Sequence, residues 1–250
     1  MMRTEPTLPS RVLDYIDAHG GLERWRAVKE LTLTVSSGGR AFSARHQGKA
    51  IRNLQAHVSP HGQRTEFVPY PTAGQSGIFE QGSVRIESDG HGVVAQRSDP
   101  RAAFRGIRHR LWWDKLDMLY FCGYALWTYL TIPFILTEPG FEVRELEPWE
   151  EGDETWQRIG VTFPSEIHTH CREQTLYFDE QGLLRRHDYT AEVFAGWARA
   201  AHYCFNYQNF DGLVVPIRRK VHPRRGNNRP LTAVTLVWIE IDGVRALPKT

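Results

Sequence analysis

The sequence predicts a mainly β protein of the α+β class, with an antiparallel sheet, short N-terminal helices and one central aromatic helix. Three observations carry this prediction. Apolar runs with a period of two recur along the chain, turn residues separate them, and one uncharged aromatic segment interrupts them. The chain has 250 residues, 41% of them hydrophobic, and no low-complexity linker divides it. We therefore expect a single domain, 1–250.

Two short helices are expected before the first strand. Ser10 is a candidate N-cap of an amphipathic helix that Gly20 can end. After the Gly20-Gly21 break, apolar residues recur at every third position over 22–28, which predicts the second helix.

The period then changes to two. The first strand begins near Glu30, where apolar and polar residues alternate up to Gly38-Gly39. Turn residues such as Asp89-Gly90 bound similar segments, which predict first-half strands at about 41–46, 51–58, 64–68, 76–79, 83–88 and 93–97. The same pattern predicts second-half strands at about 141–146, 155–163, 175–179, 183–193, 198–207, 213–222 and 231–241.

The segment 118–136 contains no formal charge and is long enough to suggest a transmembrane helix. Many of its residues are aromatic, Gly, Thr or Pro, and strands flank it, so stable membrane insertion is not expected. A buried helix from Asp114 to about Thr131, ended by Pro133 and covering the concave face of the sheet, is the preferred interpretation.

Composition and motifs exclude several classes of partner. The formal net charge is +2, and the basic run 218–229 lacks a recognisable module, so a solvated hairpin is expected there and nucleic acid is not. Three scattered cysteines indicate reduced thiols, and the N-terminus has no secretory signal, which favours a cytoplasmic location. No P-loop, GxGxxG, GxSxG or HExxH motif is present, so we expect no cofactor.

Four phrases carry a resemblance to a known family: GGLERWRAVKELTL, GIFEQGSVRIESDGHGVV, QTLYFDEQGLLRRHDYTAE and FDGLVVPIRRKV. Together they resemble the LolA/LolB-like, lipoprotein-localisation-factor superfamily. The resemblance implies a half-barrel, in which a large curved antiparallel sheet wraps around helices and leaves an apolar cavity. The chain lacks the signal peptide and the lipidated cysteine of the transport proteins. It is more similar to uncharacterised bacterial cytoplasmic members, so lipoprotein transport is not expected and no reaction is implied.

Ionisable residues inside predicted strands supply the main candidate site. Alternation along RRHDY puts Arg186 and Asp188 on one face of the strand and His187 with Tyr189 on the other. A neighbouring strand could bring His202 or Arg218 opposite Asp188, which would place an orienting carboxylate beside a base or a cation. The alternative is a structural cross-strand ion pair.

Two further pairs of residues are candidates for chemistry. His168 and His170 form an HxH pair that could ligate a metal if extended, but a loop with two solvated histidines is the favoured alternative, and we predict no metal. His202 and Cys204 share a strand face, although residues two apart stand too far from each other for proton transfer. We therefore favour His202 and expect Cys204 to be a buried small residue.

The central helix carries a possible ligand-binding stripe. Spacings of three and four residues align Tyr120, Tyr124 and Trp127. Such a stripe is more often core than ligand cage, and in a half-barrel the same helix both fills and lines the cavity.

The main functional hypothesis is a cofactor-independent enzyme that acts by general acid–base chemistry on a hydrophobic small molecule, by cyclisation, isomerisation or elimination. The predicted catalytic residues are Asp188, His202, His168 and His170. The predicted substrate-binding residues are Tyr120, Tyr124, Trp127, Arg186 and Tyr189. The alternative is a non-catalytic carrier or sensor for a lipid-like or polyketide-like ligand. A third hypothesis is an interaction protein whose aromatic segment docks on a partner or membrane surface.

Overall fold

The computed structural model describes residues 8–106 and 108–249, which form a 13-stranded antiparallel sheet with helices packed against it. The sheet is curved and open, so the predicted half-barrel is confirmed. We call the face that carries the longest helix the inner face and the opposite one the outer face. The α-helices are α1 (Ser10–Ala18), α2 (Leu22–Ala27), α3 (Arg40–Ser43), α4 (Arg108–Leu111) and α5 (Lys115–Thr131).

The strands alternate in direction and pair mostly with their neighbours in sequence. The first six are β1 (Val28–Gly38), β2 (Ile51–Ser59), β3 (Arg64–Val68), β4 (Gln75–Glu80), β5 (Ser83–Ser88) and β6 (Gly92–Arg97). The other seven are β7 (Glu142–Glu151), β8 (Glu154–Thr162), β9 (Glu173–Phe178), β10 (Leu184–Thr190), β11 (Arg199–Phe210), β12 (Leu213–Pro223) and β13 (Val237–Pro248).

The order of strands across the sheet is β6-β5-β4-β3-β2-β1-β13-β12-β11-β10-β9-β8-β7. Each half of the chain is thus a meander, and the two meanders meet where β1 pairs with β13. In β1 the apolar residues Leu31, Leu33 and Val35 are buried, and the threonines between them are partly exposed. The predicted period of two is confirmed in this central strand.

Helix α5 crosses the inner face and packs on β3, β4 and β5. It begins with a capping box, since the Asp114 side chain accepts from Asp117 N and the Asp117 side chain accepts from Asp114 N. Every residue from Asp117 to Thr131 is buried, which confirms the predicted core helix. Among the described residues, the structure contains no helix with enough length and apolar character to cross a membrane.

Two predicted strands differ from the structure. Residues 41–46, predicted to be a strand, form α3 and a turn, and His46 has a φ of 62° that a strand does not allow. The buried Phe42 ring packs edge-on against Phe121 of α5, which explains the apolar signal of this segment. Gly39 precedes the helix at a φ of 125°, where a Cβ would overlap the carbonyl of Leu236. The last strand begins at Val237 and not near residue 231.

The basic run 218–229 ends β12 and enters an exposed turn, so most of the predicted solvated hairpin is confirmed. Arg219 is the exception, because its side chain is buried on the inner face. Its guanidinium donates to the carbonyl of Tyr129 at 2.8 Å and to Cys204 Sγ at 3.1 Å. All three cysteines are free and buried.

Candidate functional site

A large cavity opens between α3, the 191–198 loop and the ends of β12 and β13. Its volume is about 520 Å³, and its surface is mainly apolar. We call it the main cavity. Volumes of this size are typical of small-molecule sites, which are mostly apolar with a few polar groups. Its apolar walls include Phe121, Tyr189, Phe194, Val221, Leu236 and Val237.

A smaller inner cavity of about 40 Å³ adjoins the main cavity and shares four of its wall residues. The inner cavity is also lined by Val35 of β1 and by Leu126 and Tyr129 of α5. The shared residues are Phe121, Tyr189, Val221 and Val237. The two cavities are therefore adjacent and are separated by shared apolar side chains.

Four arginines line the main cavity, and we call them the rim arginines: Arg40, Arg45, Arg199 and Arg224. Arg224 lies 3.5 Å from Asp188 and also donates to Asn228 Oδ1. Arg45 donates to the carbonyl of Ala41 at 2.9 Å, and its guanidinium lies 4.4 Å from the centre of the Phe194 ring. Burial lowers the pKa of Arg45, although arginine remains charged at neutral pH.

The two candidate histidines of the HxH pair lie in a loop, as the alternative interpretation had it. Their burial differs from that expectation, because His168 is half-buried and His170 is fully buried. His168 Nδ1 lies 2.8 Å from Tyr120 Oη. The side chain of Gln63 fixes the backbone there, since it accepts from His168 N and donates to His168 O. No group of three metal-ligating side chains occurs in the part of the chain that the structure describes.

His170 sits inside an aromatic cage. Its ring stacks on Tyr189 at 3.9 Å, and its two nitrogens lie 3.2 Å from Tyr124 Oη and 2.6 Å from Tyr129 Oη. Burial, followed by the charges of His187 and Arg101, lowers its pKa well below the usual value. His170 is therefore a neutral hydrogen-bonding residue of the core at neutral pH.

His187 and His202 are directly opposite each other on β10 and β11, and both face inward. Burial and the nearby Arg219 lower the pKa of His187 to about 3 and that of His202 well below its usual value. Gln174 hydrogen-bonds His187 Nε2, and Tyr189 Oη lies 3.4 Å from His202 Nδ1. The other ring nitrogen of each histidine is buried without a partner among the described residues.

The predicted pairing of Asp188 with His202 is wrong. Asp188 lies opposite Ala201, so it projects from the outer face while His202 projects from the inner face. Arg218 is not opposite Asp188 either, because it pairs with Phe205 and Glu240. A shift of one residue in strand register moves a side chain to the other face, and hairpin spacing alone did not define the register.

Asp188 instead belongs to a buried ion pair on the outer face. Arg186 donates from Nε to Oδ1 at 2.7 Å and from Nη2 to Oδ2 at 2.9 Å, and Tyr177 donates to Oδ2 at 2.8 Å. Trp149 of β7 covers the Arg186 guanidinium at 5.7 Å, and Glu151 accepts from its Nη1 at 3.1 Å. Burial raises the pKa of Asp188, and Arg186 opposes that shift. The expected alternative to catalysis was a structural ion pair between neighbouring strands, but Arg186 and Asp188 lie two residues apart on the same strand, β10.

The predicted substrate-binding residues are divided among different surroundings. Tyr189 lines both cavities, whereas Arg186 is on the outer face. Tyr120, Tyr124 and Trp127 are buried in the core and are not among the walls of the main cavity. Trp127 donates its Nε1 proton to the carbonyls of Ser59 and Gly62. The helix presents its neighbouring face, through Phe121, to the cavity.

Sequence reasoning missed most of the residues that form the cavity. Arg45 falls in the segment 41–46 that was predicted to be a strand, and Arg40 directly precedes it, so neither was recognised as a site residue. The loop AEVFAGWARA did carry a signal, because it combines apolar residues with small ones and holds Trp197, whose surface is 77% exposed. In the structure Trp197 lines the main cavity together with the apolar residues of this loop.

The sheet, α5 and the cavity between them define a half-barrel with an apolar interior. Known structures share this fold. A LolA superfamily protein, NE2245 from Nitrosomonas europaea, superimposes with a TM-score of 0.52 at 9% identity, over 96% of this chain and 93% of that one. A DUF1329 family protein from Desulfovibrio piger gives a TM-score of 0.53 at 9% identity, over 97% of this chain and 94% of that one. No protein-family model matches the sequence, and no curated protein does.

The predicted LolA-like fold is thereby confirmed. At 9% identity the likeness concerns the fold alone.

Proposed function

We propose that this protein binds and carries a hydrophobic, lipid-like ligand in the main cavity. The observation that carries the proposal is an apolar cavity of about 520 Å³, which adjoins a smaller apolar cavity in the core at Phe121 and Tyr189. Burial of apolar ligand surface there would supply the binding free energy, at about 25 cal/mol per Å² before the costs of association.

Carriage is favoured over the acid–base catalysis predicted from the sequence. General acid–base catalysis needs a titrating group within hydrogen-bonding reach of the substrate. In the described part of the chain, the ionisable residues that line the main cavity are four arginines and Tyr189, and burial raises the pKa of Tyr189. Asp188 and His202 are separated by the sheet.

Binding can be measured with phenylnaphthylamine, an uncharged fluorophore that brightens in apolar surroundings, and with dodecanol as its competitor. Ala198 lines the cavity and is partly exposed, so Ala198→Trp should fill part of the opening. We expect one ligand per chain and at least about tenfold weaker binding by this variant, which corresponds to about 1.4 kcal/mol.

The matched control is Ala27→Trp, an exposed position at the end of α2. It should bind as tightly as the unmodified protein, and both variants should keep its melting temperature. The proposal fails if neither probe binds stoichiometrically to folded protein, or if Ala198→Trp binds as tightly as the control. Before these measurements, native mass spectrometry of protein purified from its own host should show whether the chain already retains a ligand.

A further inference from the structure

The opening of the main cavity is basic and, among the residues that the structure describes, contains no acid in its lining. Arg40 and Arg199 are exposed, and no ion pair or side-chain hydrogen bond holds either guanidinium within the described chain. The acid nearest to Arg199 in the loop, Glu192, is engaged elsewhere, because it accepts from Arg101 at 2.7 Å. Positive charge therefore accumulates at this edge of an apolar cavity.

Arg45 adds a second observation. It lines the same cavity, its Nε is buried, and that Nε has no acceptor among the described residues. Its other contacts are a backbone carbonyl and the rings of Phe194 and Trp113, so no carboxylate of the described residues neutralises it there. The charge of Arg45 at the cavity wall therefore remains available to an anionic ligand.

We infer that the ligand is an amphiphile with an anionic headgroup, whose apolar tail enters the main cavity and whose carboxylate or phosphate contacts Arg40, Arg45 and Arg199. Guanidinium groups bind both kinds of oxyanion through paired N–H donors. The apolar walls would exclude the headgroup, and these three arginines would hold it at the opening. This inference rests on the proposed function, because it specifies the ligand class of the same cavity.

The test compares dodecanoic acid with dodecanol, which differ in headgroup and share a tail length, by displacement of phenylnaphthylamine at about pH 8, where the carboxyl group is ionised. Arg40→Gln combined with Arg199→Gln removes the two exposed rim charges and leaves the packed Arg45 in place. The matched control combines Arg26→Gln with Arg245→Gln, two exposed arginines on α2 and β13 that do not line the cavity. Both double variants lower the formal net charge equally.

We expect the unmodified protein to bind dodecanoic acid about two- to thirty-fold more tightly than dodecanol, the range for two exposed ion pairs. The preference should shrink toward one in the rim variant, persist in the control and weaken as salt rises. Acetate and inorganic phosphate, which lack a tail, should not displace the fluorophore.

Other results would overturn the inference in distinguishable ways. If the unmodified protein binds dodecanoic acid and dodecanol equally tightly, the inference of an anionic headgroup is wrong, but the proposed function still stands. An equal loss of preference in both double variants would assign the effect to net charge and not to the rim. Displacement by phosphate alone would make the site one for a free anion. Failure of every tailed probe to bind would overturn the proposed function as well.

Discussion

At the scale of single residues, burial on the inner face holds three histidines neutral. The pKa of His187 is about 3, and those of His170 and His202 are well below the usual value, mainly because burial disfavours the charged form. These histidines bind protons near pH 6.5 in the unfolded chain but not in the folded chain. Their contribution to the free energy of unfolding is therefore fully present above about pH 6.5 and is lost as the pH falls from 6.5 toward 3.

The first prediction concerns His202. Acidification from about pH 7.5 to 5 should cost about 2 kcal/mol of unfolding free energy for each such histidine. His202→Phe keeps the edge-to-face contact with Tyr129 and removes the unpartnered Nε2. Urea unfolding should show this variant to be at least as stable at pH 7.5 and to lose about 2 kcal/mol less than the unmodified protein at pH 5.

The control is Tyr189→Phe, which alters the same network without removing a group that charges in this range, so it should keep the full pH dependence. An unchanged pH dependence in His202→Phe would show that His202 is protonated in the folded protein at pH 5.

The second prediction concerns the buried pair of Arg186 and Asp188. Asp188→Asn leaves an enclosed guanidinium without its main counter-charge, which should cost about 3 kcal/mol or more. Denaturant unfolding measures this loss. The comparison is Glu240→Gln, which breaks the exposed pair between Arg218 and Glu240 and should cost less than about 1 kcal/mol. Equal effects in the two variants would contradict a structural role for Asp188.

Individual site residues were predicted less well than elements. Alternation correctly separated Arg186 and Asp188 from His187 and Tyr189. It could not tell which set faced inward, because both faces of β10 are buried, one by α5 and the other by the β7–β8 hairpin. A doubly covered strand lacks the polar face that normally identifies the inner one.

At the scale of elements, α5 packs very closely on β4. Gly123 of α5 lies so close to Phe79 that an added Cβ would overlap the Phe79 side chain. Helix and strand can therefore approach only because this position has no side chain.

The third prediction follows from this close contact. Alanine is a better helix former than glycine by about 1 kcal/mol, yet Gly123→Ala should destabilise the protein by about 1–3 kcal/mol because the core cannot expand. Gly196→Ala is the control, since no atom lies near its added Cβ. That variant should change the melting temperature little. A Gly123→Ala protein as stable as the control would show that β4 can move away from the helix.

Elements with strong local signals were predicted from the sequence, and α5 is the clearest case. The uncharged run 118–136 and Pro133 predicted a helix from Asp114 to about Thr131, and the structure has it at Lys115–Thr131. Helix α3 was not predictable, since four residues leave no periodicity to detect and Phe42 resembles a strand residue. The main cavity could not be predicted from the sequence either. Its walls come from segments near residues 40, 121, 194, 221 and 237, which are far apart in sequence and meet only in the folded chain.

At the scale of the whole molecule, β13 joins the two meanders, because it pairs with β1 on one side and with β12 on the other. One continuous sheet and one main core span both halves. The prediction of a single domain, 1–250, can be tested by unfolding.

The fourth prediction is one cooperative transition. Far-ultraviolet circular dichroism and tryptophan fluorescence should give coincident urea curves, since neither meander can lose its central neighbour and stay intact. Two separated transitions, or probes with different midpoints, would show that the halves unfold independently.

The pairing of β1 with β13 also affects how the chain is made. Strand β1 ends at Gly38 and its partner β13 begins at Val237, so one edge of β1 must stay open until β13 has left the ribosome. At typical synthesis rates that interval lasts roughly 10 to 40 seconds. An unpaired strand edge can recruit other chains, so the newborn protein is most exposed to aggregation during this wait and has the greatest need of a chaperone then.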